Sequence, residues 1–403
     1  MNRPSGSGSL VREPQPAPVT TPNVEFGAVL AVLLATGWVA NHFVALMPAI
    51  SDRQHLSVAT LDAIFGIYAV GLLPGLLLGG RASDALGRRA VALTGSATAA
   101  VGTVAMLLSQ QPEVLTVGRL IVGVGVGLAM SSGTAWASDL KGPAGAATAG
   151  AVLIVGFAIG PFAGGLITGA GEAGVRISFA VAAVLVVTAM AVMIATARRR
   201  PQALTEESRE PDRPTQGQGI ARALSWALPL APWVFASATL GFVTIPARVH
   251  TGLAAPVAAG FAALIVNGAS GVIQIIARAA KWGPQAGTTG AVLAALSYAL
   301  IAVAPPTMTL ALSLPLLLLL GCASGLSLRE GLIDLEAAAP QRVRGTLTGV
   351  FYSVTYIGFG LPLVLTTGGP ELAQLILAAM AVLASTTAIS RTVRLRRDSH
   401  RQS

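Results

Sequence analysis

Apolar residues run along this chain in long unbroken blocks, and polar residues gather in short gaps between them. Residues 91–108 carry no charge, and neither do residues 177–197. About 20 consecutive apolar residues, coiled as a helix, cross a hydrocarbon core of roughly 30 Å. In lipid every backbone N–H and C=O must be satisfied internally, so a spanning segment is a helix or part of a closed barrel. Barrel strands alternate apolar and polar positions, and these blocks do not. The pattern predicts an all-α membrane protein with twelve transmembrane helices, at roughly 24–47, 59–80, 89–108, 113–137, 145–170, 176–196, 223–247, 253–277, 284–304, 307–331, 343–367 and 370–390.

Composition agrees with this pattern. Of 403 residues, 53% are hydrophobic and 11% charged, whereas a soluble domain carries about 25% charged residues. The net charge of +9 would suggest nucleic acid on a soluble protein. Here the bases sit between apolar blocks and report topology, so no nucleic-acid partner is expected. With a cytoplasmic N-terminus, Arg53, Arg176 and Arg248 fall outside and Arg119 falls inside a span, which leaves 22 of the 26 Lys and Arg on the cytoplasmic side. Positive residues concentrate there, so both termini are expected to be cytoplasmic, in the cell (inner) membrane. The single cysteine, Cys322, excludes an intrachain disulfide and reads as a small core residue.

The expected organisation is a disordered tail (1–23), a six-helix bundle (24–197), a cytoplasmic linker (198–222), a second six-helix bundle (223–390) and a basic cytoplasmic tail (391–403). The first apolar block exceeds a signal-peptide core and lies behind a long polar stretch, so it reads as a span. The halves look related. Gly127–Gly133 aligns with Gly325–Gly331 at a shift of 198, and Thr148–Gly150 aligns with Leu347–Gly349 within a residue or two. Repeated halves with a site between them at mid-membrane are a transporter architecture.

Three motifs fall in the first half. The loop after the second span carries Gly80, Asp84, Gly87, Arg88 and Arg89: one acid among bases, between glycines. A positive-inside anchor would need only Arg88 and Arg89. The fourth span carries Arg119, Gly123, Gly125 and Gly127, and a charge within a span faces a cavity or a partner by default. Snorkelling to the outer surface is the bland alternative. The fifth span carries Gly156, Gly160, Pro161, Gly164 and Gly165, a kink with small flanking residues that can pack against Gly268–Gly271. Gly71, Pro74, Gly75 and Gly79 of the second span form a further glycine face, read as a packing and rocking surface.

In this order and on these helices, the motifs resemble those of the major facilitator superfamily, and within it the twelve-helix drug/proton antiporters. Ala85 departs from a usual basic residue, and Ala147 from a usual glycine. The resemblance implies two pseudo-symmetric six-helix bundles. It makes Asp84 with its loop a latch to the start of helix 11 near Arg344, Arg119 a participant in proton transfer, and the Gly156–Gly165 segment a seal between the bundles that marks export.

Candidate coupling groups are His42, Asp62 and Arg119, which with Asn41 can form one cluster. The plainer reading of Asn41 and His42 is that they satisfy backbone groups near a kink. No Asp or Glu lies mid-way along the first span, where many such exporters keep one. Candidate cavity residues are Asn41, Trp233, Phe242, Glu330, Tyr352 and Tyr356, although Glu330 also reads as part of a solvated helix end beside Arg329 and Asp334. The expectation is a monomeric secondary transporter, not an enzyme. It takes no cofactor or metal, and its partners are a small molecule, protons and the bilayer. The rivals are an uptake symporter or uniporter of the same fold and a non-transporting membrane sensor.

Overall fold

The computed structural model of the protein describes residues 21–197 and 216–402. Most of the expected first tail and of the linker therefore lies outside the described residues. Among the described residues, twelve helices are long and apolar enough to cross a membrane: α1 (Asn23–Gln54), α2 (Val58–Leu86), α3 (Arg88–Leu108), α4 (Pro112–Gly142), α5 (Ala144–Gly169), α6 (Gly174–Thr196), α7 (Gly219–Arg248), α8 (Ala255–Ala279), α9 (Gln285–Val303), α10 (Leu310–Ala338), α11 (Thr346–Thr367) and α12 (Gly369–Asp398). Among the described residues the only β pairing is one isolated bridge, Val249 with Met308.

Local chemistry sets the ends. Ser57 caps α2 by accepting from the Thr60 N–H at 3.1 Å, and Thr309 caps α10 by accepting from Leu312 at 3.4 Å. Pro112 opens α4, where its missing N–H costs nothing. Gly87, at φ 90°, turns the chain between α2 and α3, and Gly142, at φ 60°, separates α4 from α5. A side chain is strained at both positions. α12 runs several residues beyond its sequence-based limit. Its extension is held by Arg391, which is buried and donates to Asp334 at 2.7 Å.

The spans form two six-helix groups. In the first, α2 and α3 pack on α4, and α1 packs on α5. The contacts are glycine-mediated. A methyl on Gly75 would meet the Val124 carbonyl at 2.6 Å, and one on Gly127 would meet Leu76 N at 2.8 Å. The Gly71–Gly79 face of α2 thus packs against α4 within its own group, and close approach is what small residues permit. The glycine face read from sequence as a rocking surface is therefore an interior contact. Val184, Val187, Ile275, Leu318, Val382 and Ile389 point outward, as an apolar solvent requires. The groups meet where α5 and the second part of α1 pack on α8, and where α2 packs on α11. Below, the "loop end" carries Asp84 and the "far end" carries Asp62.

Candidate functional site

Three helices depart from regular α-helical hydrogen bonding where the two groups meet. α1 tightens at His42, where the Ala45 N–H reaches the His42 carbonyl at 3.2 Å while His42 keeps helical dihedrals (φ −57°, ψ −30°). α7 widens at Leu240–Thr244 and then tightens at Pro246–Arg248. α11 tightens at Ile357–Gly360. Irregular backbone at membrane depth is tolerated where protein buries it or a cavity lies beside it. Asn41 beside the first irregularity, Phe242 in the second and Phe359 in the third all wall one central void, with Ala40, Tyr68, Phe157, Phe235, Asn267 and Tyr356. As it stands the void holds about one water molecule.

Pro161 explains two of these side chains. In a regular helix the Phe157 carbonyl would accept from residue 161, but proline has no N–H. The orphaned oxygen instead accepts from Asn41 Nδ2 at 3.0 Å and from Asn267 Nδ2 at 3.4 Å. Asn41 belongs to one group and Asn267 to the other, so one freed carbonyl is shared across the seam.

Aromatic rings and one carboxylate close the α2–α11 seam. Phe65 stacks on Phe359 with centroids 5.0 Å apart, and Tyr68 lies 5.7 Å from Phe359. Tyr356 packs on Phe235 at 4.4 Å and reaches the Met130 sulfur of α4 at 4.0 Å. Further toward the far end, buried Asp62 accepts from the Thr366 hydroxyl at 2.7 Å through Oδ2, while Oδ1 has no partner. At the loop end, Leu77 contacts Gly349.

Arg119 is fully buried. Nη1 donates to the Ala40 carbonyl at 3.2 Å, and Nε and Nη2 have no acceptor. Its guanidinium lies over Tyr68 at 4.4 Å, Phe43 at 4.8 Å and Phe65 at 5.9 Å. Each cation–π contact contributes about 0.5–2 kcal/mol, against several kcal/mol for removing an unpaired ion from water. The cage therefore offsets only part of the cost.

The four residues expected to cluster share no side-chain hydrogen bond or ion pair, although His42 and Arg119 lie close enough to interact electrostatically. Arg119 turns to Ala40 and the rings, and Asp62 turns to Thr366. His42 sets Nδ1 against the carbonyls of Val39 and Trp38 at 3.1 and 3.2 Å and meets the Phe179 ring edge-on at 5.4 Å, so it faces α6. Asn41 alone reaches the void. In the loop, Arg88 pairs with Asp84 at 2.6 Å and with Asp139 of α4 at 2.9 Å, so Asp84 is held within its own group. Arg89 is half-buried beside it. The Arg344 side chain lies outside the described residues.

Of the seal residues, Gly156 and Gly160 pack on α1 beside Gly37 and Trp38, and Gly164 faces Leu46 and Ser178. Gly165 and Pro161 face α8 at Pro256 and Gly260, while Gly268 has open space. α8 also meets α5 at Gly271, which lies against Ile154, but the closest glycine approach is at Pro256 and Gly260, about two turns from Gly268. Trp233 packs on Tyr298 of α9 at 5.9 Å, and Tyr352 lies beside Phe351 at 6.0 Å. Glu330 is buried, pairs with Arg329 at 2.9 Å and sits against Gly287. Tyr356, Phe242 and Asn41 of the expected cavity set wall the void; Trp233, Glu330 and Tyr352 do not. Tyr68, Phe235, Phe359 and Asn267 were not singled out in the sequence. Asn267 carried a readable signal, an amide within an apolar span.

A family model described as Major Facilitator Superfamily matches residues 28–362. The chain belongs to the major facilitator superfamily. It is a multi-pass membrane protein of that superfamily. Among curated relatives, it is 33% identical over 78 residues to a probable inositol transporter 2 of Arabidopsis thaliana, covering 19% of this chain. It is 31% identical over 96 residues to the multidrug resistance protein MdtL of Shigella flexneri, covering 24% of this chain. Those matches span 13% and 24% of the relatives' own lengths. Solved structures share the fold. A mutant of the peptide transporter POT in complex with sulfate superposes with a TM-score of 0.75 at 14% identity, covering 92% of this chain and 94% of that one. The POT family transporter PepTSo gives 0.71 at 12% identity, with 93% and 98% covered. At such identity the likeness speaks for the fold alone.

Proposed function

We propose that this major facilitator transporter exports small amphipathic compounds in exchange for protons. It works by alternating access, as a monomer in the cell (inner) membrane, with both termini and the loop end cytoplasmic. The observation that carries the reading is the meeting of three locally irregular helices, α1, α7 and α11, around one aromatic void at the seam. A substrate needs such a place, where groups from both halves converge and can be exposed to either side in turn. The small void fits a closed intermediate of that cycle. Export is supported by the Gly-Pro segment of α5 and by the partial likeness to MdtL, a multidrug resistance protein.

Asp62 is the group we assign to proton coupling. It is a buried carboxylate on α2, bonded to Thr366 of α11, so opening the far end breaks that bond and bares the carboxylate to outside water. Asp84, released from Arg88, latches the loop end when that side closes. The test is substrate movement in inside-out vesicles with and without an imposed proton gradient, using a panel of dyes and antibiotics. Gradient-driven accumulation of panel members supports export. Equal accumulation with and without the protein overturns it, and movement only in the opposite direction selects an uptake carrier of the same fold.

A further inference from the structure

We infer that Arg119 is the anchor for an anionic substrate group, and that this transporter's substrates are small aromatic or amphipathic carboxylates. The inference rests on the transporter reading above and adds the charge of the cargo.

Arg119 differs from most of the other buried or half-buried arginines, although half-buried Arg89 also leaves its Nε without a partner. Arg88 is neutralised by Asp84 and Asp139, Arg329 by Glu330, and Arg391 by Asp334. Arg248 donates to three backbone carbonyls, those of Ala304, Pro305 and Pro306. Arg119 has one carbonyl and two N–H directions without an acceptor, in a fully buried position. The acid on the adjacent helix, Asp62, is bonded to Thr366 and makes no ion pair with Arg119.

The position relative to the void completes the argument. Ala40, whose carbonyl takes the one bond from Arg119, walls the void, and so does Tyr68, whose ring lies under the guanidinium. Arg119 therefore stands one layer behind the wall, and the separating side chain carries a buried hydroxyl that also lacks a partner. Rotation of Tyr68 opens the guanidinium to the void and presents two kinds of donor to one anion. Two of the three rings that cover Arg119, Phe65 and Tyr68, lie against Phe359 across the seam. Separation of α2 from α11 thus uncovers the anchor and opens the path in a single movement. The wall contains no acid, so a cationic compound would find no counter-charge there. The rings of Phe235, Phe242 and Phe359 suit the apolar body of the ligand, and a guanidinium suits a carboxylate through paired hydrogen bonds.

The test uses the purified full chain in proteoliposomes with a matched set of one ring and three head groups: benzoate, benzamide and benzylamine. Longer homologues, phenylacetate, phenylacetamide and phenethylamine, form a second set. Competition against any transported panel member is read, together with thermal stabilisation in detergent. Carboxylates are expected to compete and stabilise, and the amides and amines to do neither. Arg119→Gln is expected to weaken carboxylate binding by about tenfold or more. Arg119→Lys should retain part of it, and Tyr68→Phe should weaken it less. Because wild-type selectivity is itself diagnostic, a misfolded variant leaves the test intact. Transport with amines preferred over carboxylates overturns the anion assignment while the carrier reading stands. Carboxylate preference unchanged in Arg119→Gln also overturns it. Movement of nothing, by a protein shown to be folded, overturns both.

Discussion

Asn41 and Asn267 stand on opposite six-helix groups and donate to the same oxygen, the Phe157 carbonyl, at 3.0 and 3.4 Å. That oxygen is free because Pro161 cannot supply the helical N–H. A proline that reads in the sequence as a kink is thus also the source of a polar contact between the halves. A hydrogen bond of this kind within a membrane protein contributes about 0.6 kcal/mol, weak enough to break in each cycle and directional enough to set a register.

Replacing Pro161 with Ala should therefore stabilise the protein and slow it. The new N–H closes onto Phe157 and competes with both amides. The expected result is a melting temperature equal to or above wild type with a several-fold lower turnover, measured by thermal unfolding in detergent and by substrate flux in proteoliposomes. A fall in both would show that the kink itself holds the fold.

Asn267→Leu removes the amide from the α8 side and leaves Asn41 in place. Stability should change by less than about 1 kcal/mol, while the balance between inward- and outward-open forms shifts. Distance distributions between spin labels on the far ends of α5 and α8 report this shift. Distributions identical to wild type would remove the shared carbonyl from the account.

Asp62→Asn keeps a group that can accept from Thr366 but cannot titrate. Uphill, proton-driven flux should be lost, and downhill exchange of substrate should persist. The sign follows from the proposed direction. Wild-type export rises as the outside is made more acidic, because the proton loads there, and the variant loses that rise. His42→Gln should retain it, since His42 faces Phe179 in α6 and lies off the seam. Loss of the rise in the His42 variant alone would move the coupling site.

Arg88→Ala frees both Asp84 and Asp139 in the loop. The pairs are partly exposed, and such pairs contribute about 0–1 kcal/mol each, so the melting temperature should hardly move. Transport should drop several-fold, because Asp84, with no Arg88 to return to, keeps the loop end latched. Wild-type flux in Arg88→Ala and in Asp84→Asn would refute the latch.

The twelve spans were legible because hydrocarbon imposes one requirement on every residue of a crossing helix, and block length alone registers it. Arg119 and Pro161 were legible for the same reason, as departures from that requirement. The partners were not. Asp62, Asn41 and His42 lie near one another in sequence and depth, but helix rotation sends them to α11, α5 and α6. Sequence spacing carries no record of rotation about a helix axis. Phe235 and Phe359 were hidden by chemistry, since aromatic residues serve equally as filler and as cavity wall. The glycines of α5 showed that close packing occurs there without showing which neighbour each one meets. Gly156 and Gly160 meet α1, and Gly165 meets α8.

The central claim is that the seam at Asn41, Tyr356 and Asn267 becomes water-accessible and carries the substrate. Cys322 is the sole cysteine, so Cys322→Ser gives a background in which single cysteines can be placed at Asn41 or Tyr356 on the void and at Leu318, which points outward. Labelling by a membrane-impermeant maleimide is then followed with and without transported substrate. Labelling at the two void positions that substrate suppresses, with none at position 318, is the result expected. Void positions that resist the reagent in every condition, in a protein that still transports, would contradict a path along this seam.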